Sequence, residues 1–407
     1  MPEEFEVVII GAGPAGLMAG LAAVRHGLSV AILEKDTRIG YPLHCGEAVT
    51  RGSIESVIEV NPGWIKARIE RGKLVSPSGY TYVINHPRAG YVLDRPRMER
   101  DLADDFERLG GKLFLNHHAA RIISGSVAHE AVAIRDSSGN DRLHLQARVF
   151  IAADGVEGTM ARSVGIDNRL DLSRTESFLQ YRLRNIVVEP DIIEIHLGSK
   201  VAPRSYLWLF PKGSGEANVG LGVPGDRGSE ARFYLDRFVE QRFPTAEIVF
   251  SSCGTSPRYQ GPAVLADKNL LVTGDAARVL DSVTGAGIVN AMLSGKLAGE
   301  AAAGWCRQSG DNWRDLHRLY PGRFLRTKHR LLFRYRQIKE LLDRLTDDDM
   351  DEIVQVFDDV IGPEEVDEVN PLKLFWEILR KKPRLLKLAR HYFRARDGGR
   401  RDPSRVC

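Results

Sequence analysis

The chain has 407 residues, long enough for two domains and a large core. Hydrophobic residues make up 43% and charged residues 27%, an ordinary soluble composition, and a net charge of +3 is too small to imply nucleic acid. No run of 18 uncharged apolar residues occurs, which excludes a membrane-spanning helix, and four cysteines without a CxxC pair offer neither metal-site nor iron–sulphur spacing.

The first strand is expected over Glu6–Ile10, "EVVII", an apolar run of the kind buried in a parallel sheet. "FEVVIIGAG" begins at Phe5, so no signal peptide is expected ahead of it. "GAGPAG" follows, with Gly11, Gly13 and Gly16 in the G-x-G-x-x-G positions and Ala15 between the last two. A small-residue helix then leads to a second strand, "SVAILE", ending on Glu34 beside Lys35. This is a βαβ unit for a dinucleotide. The glycines admit the tight turn and the pyrophosphate, whose charge meets unpaired N–H groups at the helix N-terminus. Glu34 stands where a carboxylate accepts hydrogen bonds from the adenosine ribose.

The loop "GYPLHCGE" carries His44, Cys45, Gly46 and Glu47. By spacing alone Cys45 is either a small buried hydrophobe or, on so turn-rich a loop, a reactive thiol. Residues 73–87 alternate as strands do, 95–111 read as a helix, and 148–165 read as a strand ending at Asp154-Gly155 and then a helix. Short alternating runs with Gly and Pro turns return over about 172–264. Within them "RSYLWLFPK" sets Tyr206, Trp208 and Phe210 on one strand face and Leu207 and Leu209 on the other. Those rings either fill a core or wall a pocket for something greasy. Lys212 either pairs with a lipid phosphate or caps the strand's edge.

Residues 268–303 read as a strand, Gly274-Asp275, a Gly-containing turn and a long small-residue helix. Asp154 and Asp275 each close a strand at its C-terminal end, where open α/β sheets bind ligands, or else serve as helix N-caps. After residue 311 the pattern is helical, with breaks expected at Pro371 and Pro383. Eleven acidic residues and no Lys or Arg lie between Asp347 and Asn370, then twelve Lys or Arg against three acids from Pro371 to Cys407. Such runs form a solvated face, a basic amphipathic tail on an anionic membrane, or an acidic–basic pair.

The expected fold class is α/β. A discontinuous Rossmann-like domain (1–72, 88–171 and 265–310) binds the dinucleotide. An antiparallel β-sheet substrate domain (73–87 and 172–264) is inserted into it, and a helical, basic-tailed region (311–407) follows.

Taken together these segments resemble the geranylgeranyl reductase family, within the wider class of flavoproteins built like p-hydroxybenzoate hydroxylase. "GAGPAG", Glu34, "ADG" (153–155) and "GDAA" (274–277) carry the wider likeness. "PLHCG" (42–46) and "PRSYLWLFPKGSGEANVG" carry the narrower one, the second fitting P-x-x-Y-x-W-x-F-P-K followed by seven residues and Gly220. The resemblance runs from residue 5 to about 393 and implies FAD as the cofactor. It implies that the first glycines hold the FAD pyrophosphate, Glu34 the ribose, Arg95 the diphosphate region, and Asp275 the ribityl chain and phosphate. Gly285, Gly287 and Ile288 of "TGAGI" would approach the isoalloxazine, with Cys45 and Gly46 facing flavin and substrate. The implied activity is reduction of isolated double bonds in geranylgeranyl chains of membrane lipids, chlorophyll precursors or prenyl quinones. One departure stands out: many relatives have His or Gly and then Pro after "GDAA", whereas this chain has Arg278-Val-Leu-Asp281-Ser.

An unactivated alkene needs hydride at one carbon, a proton at the other, and an apolar tunnel that excludes water. Cys45, Glu47 and His44 are the expected proton donors, and Tyr206, Trp208, Phe210 and Lys212 the expected substrate contacts. The leading expectation is FAD-dependent reduction of a digeranylgeranylglycerophospholipid-type lipid. The protein is expected in the cytoplasm, with peripheral contact at the inner face of the cell membrane as the added reading. No second G-x-G-x-x-G occurs, so electrons would come from a ferredoxin, NAD(P)H or a deazaflavin. The alternatives are a prenyl-quinone or chlorophyll-precursor reductase, an FAD-dependent aromatic monooxygenase or halogenase, and a non-enzymatic flavin-binding scaffold.

Overall fold

The computed structural model describes residues 3–135, 141–213, 215–259, 264–308, 312–361, 377 and 380–381. The basic tail and the breaks expected at Pro371 and Pro383 therefore lie outside the described residues, apart from Glu377, Arg380 and Lys381. In chain order the strands are β1 (Glu3–Ile10), β2 (Val30–Leu33), β3 (Ala48–Thr50), β4 (Ile65–Val75), β5 (Thr81–Leu93), β6 (Lys112–Phe114), β7 (His118–Ser124) and β8 (His129–Arg135). They continue as β9 (Asp141–Ala152), β10 (Thr175–Arg184), β11 (Ile192–His196), β12 (Leu207–Pro211), β13 (Glu216–Pro224), β14 (Glu247–Pro257), β15 (Ala266–Asp267) and β16 (Leu270–Val272).

Two sheets result. The first runs β15-β16-β9-β1-β2-β6, with β8 on β9 and β7 on β8, and its strands β16, β9, β1, β2 and β6 are parallel. Consecutive side chains of β1 point to opposite faces, yet Val7, Val8 and Ile9 are all fully buried, so this sheet is covered on both sides. The first helix, Pro14–Val24, packs along the long helix Ile288–Cys306 at a distance only small residues allow. A Cβ on Gly295 would stand 1.9 Å from the Ala15 carbonyl oxygen, and one on Gly299 2.2 Å from that of Ala19. The opposite flank of the first helix presses Gly20 against Ile32 and Phe106. Covered on all sides, it has the all-round apolar character of a buried helix. The helix Arg95–Arg108 starts on Asp94, whose carboxylate accepts from the Arg97 N–H (3.2 Å), and buries Met98, Leu102 and Phe106 at a spacing of one turn.

The second sheet has the order β14-β10-β13-β12-β11-β4-β5-β3. It is antiparallel except where β11 runs parallel to β4. The early segment that joins it is longer than the expected 73–87: β4 and β5 together span 65–93, and β3 adds an edge. The cause is visible in "IKARIERG", where Ile65, Ala67 and Ile69 already alternate with charged neighbours and turn toward the protein. One face of the second sheet buries Leu179, Leu207, Leu209, Val219 and Leu221 against Leu235 and Val239 of the helix Ala231–Arg242. The acidic run opens as the helix Asp347–Ile361 and docks on this sheet's turns: Asp347 accepts from the Ser199 N–H (2.8 Å) and Asp351 from the Ser78 N–H (2.9 Å). Those two carboxylates are therefore not part of a freely solvated face.

Candidate active site

Three loops gather at the C-terminal ends of β1, β9 and β16. Gly11 adopts a positive φ of 101°, and a Cβ there would meet the Ala153 carbonyl oxygen at 2.3 Å, so the first loop can approach β9 only as glycine. Gly13 has no atom within 4 Å of an added Cβ and opens into free space. The first helix begins there with no side-chain cap and no acidic residue in its first turn, which leaves its amides for an anion. Glu34 accepts from the Ala12 N–H (2.7 Å) and the Asp36 N–H (3.0 Å), fixing its carboxylate beside that space. The long helix also starts uncapped and without a first-turn acid, at Gly287, and an added Cβ on Gly287 would lie 3.6 Å from Asp275 Oδ1. Burial raises the Asp275 carboxyl above its usual range, against the opposing charges of Arg95 and Arg278. Two uncapped helix N-termini flanking an open cradle fit the diphosphate and ring ends of FAD.

Asp154 proves to be partly a cap. One oxygen accepts from the Met160 N–H (2.9 Å), while Oδ1 is buried with no partner among the described residues, and burial raises its carboxyl. Lys35 is exposed and pairs with Glu157 (3.1 Å). Gly285 has φ 68° in the turn before the long helix, and Ile288 is that helix's first residue. The departure after "GDAA" has a structural role. The Arg278 guanidinium donates to the carbonyls of Val156 (2.7 Å), Asp275 (2.9 Å) and Asn168 (2.6 Å), lashing the β16 turn to the β9 turn. Asp281 accepts from the N–H groups of Val283 (2.8 Å) and Thr284 (3.3 Å) and from the Thr284 hydroxyl (2.9 Å), which shapes the "TGAG" turn.

The loop 42–47 lies between these turns and the second sheet. His44 is exposed. Cys45 is half-buried, and its Sγ accepts from the Glu47 N–H (3.2 Å). Burial pushes the thiol's pKa up, and the charge of Arg95 opposes the shift. Arg95 donates through Nε to Glu99 and through its backbone N–H to Glu47 (3.0 Å). Burial disfavours its charge, but the Glu99 carboxylate opposes that and holds the guanidinium charged.

Glu47 and Lys212 are buried and paired with each other. Glu47 is only 1% exposed, and its carboxylate accepts from Lys212 Nζ (2.6 Å), Asn218 Nδ2 (2.9 Å), Arg182 Nη2 (3.0 Å) and the Arg95 amide. Both of its oxygens accept hydrogen bonds from protein groups. Lys212 is buried and also donates to the Leu93 carbonyl (2.7 Å), so its ammonium is already used and faces no lipid phosphate. Burial lowers its pKa despite the attraction of Glu47.

The ring strand faces this loop. An added Cβ on Gly46 would meet the Phe210 ring at 2.9 Å and Trp208 Nε1 at 3.5 Å. Trp208 stacks on Phe210 (6.2 Å between centroids) and meets Tyr206 edge-on (6.0 Å), and Phe178 of β10 adds a fourth ring 6.5 Å from Trp208. At the other end the Tyr206 hydroxyl donates to the Thr284 carbonyl. The rings thus form a wall running from the "TGAG" turn to Gly46, while Leu207 and Leu209 serve the core. Gln180 was not singled out from the sequence, yet it is fully buried and joins wall to loop. Its Oε1 accepts from Trp208 Nε1 (3.0 Å) and its Nε2 donates to the Cys45 carbonyl (3.0 Å). Asn218 likewise donates to the Gly46 carbonyl (3.2 Å). The available signal was the placing of Gln180, Arg182 and Asn218, polar residues inside otherwise apolar strand runs.

A geranylgeranyl reductase catalytic domain model matches residues 175–255, which includes the ring strand, and an FAD binding domain model matches residues 6–56. The chain is 34% identical to the digeranylgeranylglycerophospholipid reductase of Methanoculleus marisnigri, over 95% of this chain and 97% of that one. It is 36% identical to the protein of the same name from Methanothrix thermoacetophila, over 95% of this chain and 98% of that one. A geranylgeranyl bacteriochlorophyll reductase-like protein from Thermoplasma acidophilum superposes with a TM-score of 0.88 at 28% identity, covering 96% of this chain and 100% of that one.

Proposed function

This chain belongs to the geranylgeranyl reductase family, and from that premise we propose that it reduces isolated double bonds in the geranylgeranyl chains of a digeranylgeranylglycerophospholipid-type membrane lipid. It is an FAD-dependent oxidoreductase acting on carbon–carbon double bonds. The observation that carries the substrate reading is the wall of Tyr206, Trp208, Phe210 and Phe178, which abuts Gly46 at one end and Thr284 at the other. An apolar chain laid along such a wall gains roughly 0.8 kcal/mol per buried CH₂, ample for positioning.

Bound FAD supplies the hydride. The rings hold the alkene and keep water away, which spares the reducing equivalents and orients the bond. Cys45 holds the proton at Sγ: its raised pKa keeps the thiol protonated at neutral pH. Giving that proton to the second alkene carbon leaves a thiolate, which the Arg95 charge stabilises until solvent restores the proton. Glu47 is a positioning residue that ties the Cys45 loop to β13 and to Lys212.

Each double bond consumes two electrons, so the reading requires an external reductant: a ferredoxin, NAD(P)H or a deazaflavin. A lipid substrate also requires contact with a membrane surface. No helix among the described residues is long and apolar enough to cross a bilayer, and twelve Lys or Arg after Pro371 supply the charge for peripheral contact.

The test is anaerobic. FAD-loaded protein is chemically reduced and mixed with a digeranylgeranylglycerophospholipid in detergent, with flavin reoxidation followed optically and lipid mass by spectrometry. The expected result is a gain of two mass units per double bond, matched to the flavin oxidised. Reoxidation with unchanged lipid mass would refute the reading.

A further inference from the structure

A cavity of about 260 Å³ opens where Ser173 and Arg174, Arg204, the segment after β14 and the helix Arg330–Leu342 meet. Five of its lining side chains are arginines (Arg174, Arg204, Arg258, Arg336 and Arg344) against the carboxylates of Glu340 and Asp343. Those carboxylates are already shared. Asp343 accepts from Arg258 and from Lys339 (2.8 Å), with Arg204 3.9 Å away, and Arg336 stands 3.4 Å from Glu340. Glu176 nearby accepts from Arg258 (3.1 Å) and pairs with Lys339 (2.7 Å). Arg258 is 7% exposed, and none of the described residues accepts from its buried Nε. Arg174 also pairs with Asp171 (3.4 Å), but a cavity lined by more arginines than carboxylates, with a buried Arg258 donor that has no acceptor among the described residues, suits an anion, and the guanidinium fork matches phosphate oxygens.

The position of this cavity says which anion. Side chains two apart on β10 share a face. Along that face Glu176 meets the cavity's arginines, Phe178 meets Trp208, Gln180 holds Cys45, and Arg182 holds Glu47. At a strand rise of about 3.3 Å per residue, Glu176 and Gln180 lie roughly 13 Å apart on one surface. Arg204 precedes Tyr206 by two residues. The Tyr259 N–H donates to Ser282 Oγ (3.0 Å), just ahead of the Thr284 that receives the Tyr206 hydroxyl. Arginine cavity and ring wall therefore lie along the same face of β10. We infer that this cavity binds the phosphate of the substrate's head group while the prenyl chain lies along the rings, an inference that rests on the phospholipid reading above.

The test compares kcat/KM for digeranylgeranylglycerol phosphate and for digeranylgeranylglycerol, which has the same chains and no phosphate. Wild type, Arg204→Gln and the double variant Arg174→Gln/Arg204→Gln are measured, both side chains being exposed, with thermal unfolding as the check on folding. Wild type should prefer the phosphorylated lipid, and the preference should fall roughly tenfold in the double variant, mainly through KM. No preference in wild type, or a preference the variants keep, overturns the inference while the reductase reading stands. Inorganic phosphate titrated alone into FAD-loaded protein separates the sources. Saturable binding that the double variant loses, with lipid preference unchanged, assigns the cavity to free phosphate and overturns the head-group assignment. Wild type that reduces neither lipid refutes the reductase reading and this inference with it.

Discussion

Glu47 sits at φ 69° with its carboxylate wedged between Lys212 and Arg182, and these contacts predict how its substitution behaves. Glu47→Gln strands a buried ammonium, and breaking a buried pair from one side costs about 3–5 kcal/mol. Urea unfolding should register that loss as a lower midpoint with an unchanged slope. Cys45→Ala should do what Glu47→Gln does not: unfold near the wild-type midpoint while turnover falls by roughly 10²–10⁴, the usual contribution of a general acid. The pH profile has a definite sign. For the proposed donor, the protonated thiol of Cys45, burial raises the pKa above the ordinary value of about 8.5, so turnover limited by its proton donation should stay level through that pH and decline only beyond it. A break well below pH 8 would count against Cys45.

Element by element, the site depends on how closely two helices meet and on a strand with two different faces. The first helix and the long helix touch through Gly295 and Gly299, and their N-termini flank the cofactor cradle. Gly295→Val drives a side chain into the Ala15 carbonyl, separates the helices and costs about 1–3 kcal/mol by overpacking. Because the cradle moves with the helices, the variant should also bind FAD more weakly, read by quenching of flavin fluorescence. On β12 the faces should separate by assay. Leu209→Ala removes core and costs about 2–5 kcal/mol in thermal or urea unfolding. Phe210→Ala, on the partly exposed ring side, should change stability less and raise KM for the lipid.

Across the molecule, ties between the two halves among the described residues include Tyr206 to Thr284, Gln180 to Cys45, and the Lys212–Arg182–Asn218 group to Glu47. Each tie joins a strand of the second sheet to a loop beside the cofactor cradle. FAD at 100 times its Kd should stabilise the protein by about 2.7 kcal/mol. The ties predict that this protection spreads. Hydrogen exchange should slow in β10 and β12 as well as in β1 when FAD is added. Protection confined to the first sheet would show that the halves are energetically separate.

Much of this was legible before any coordinates, because the signals are local. An apolar strand, glycines at fixed offsets, a small-residue helix and a terminal acid specify Gly11 to Glu34 within one βαβ unit, and period two sorts Tyr206, Trp208 and Phe210 from Leu207 and Leu209. The strand over 65–72 is hard to read from sequence because charged residues interleave there with small apolar ones. Choosing among His44, Cys45 and Glu47 depended on contacts no local pattern carries: Glu47 meets Lys212 across 165 positions of sequence, and Gln180 reaches Cys45 across 135. Arg278 and Asp281 read only as a departure until their donors and acceptors met the turns they hold. By itself the sequence determined the fold class, the dinucleotide cradle and the ring strand, since each is written in short-range periodicity and turn chemistry. Tertiary structure alone decided which charges pair and which side chains are buried beside the Cys45 loop, because burial and pairing are set by segments that meet only when the two sheets close on each other.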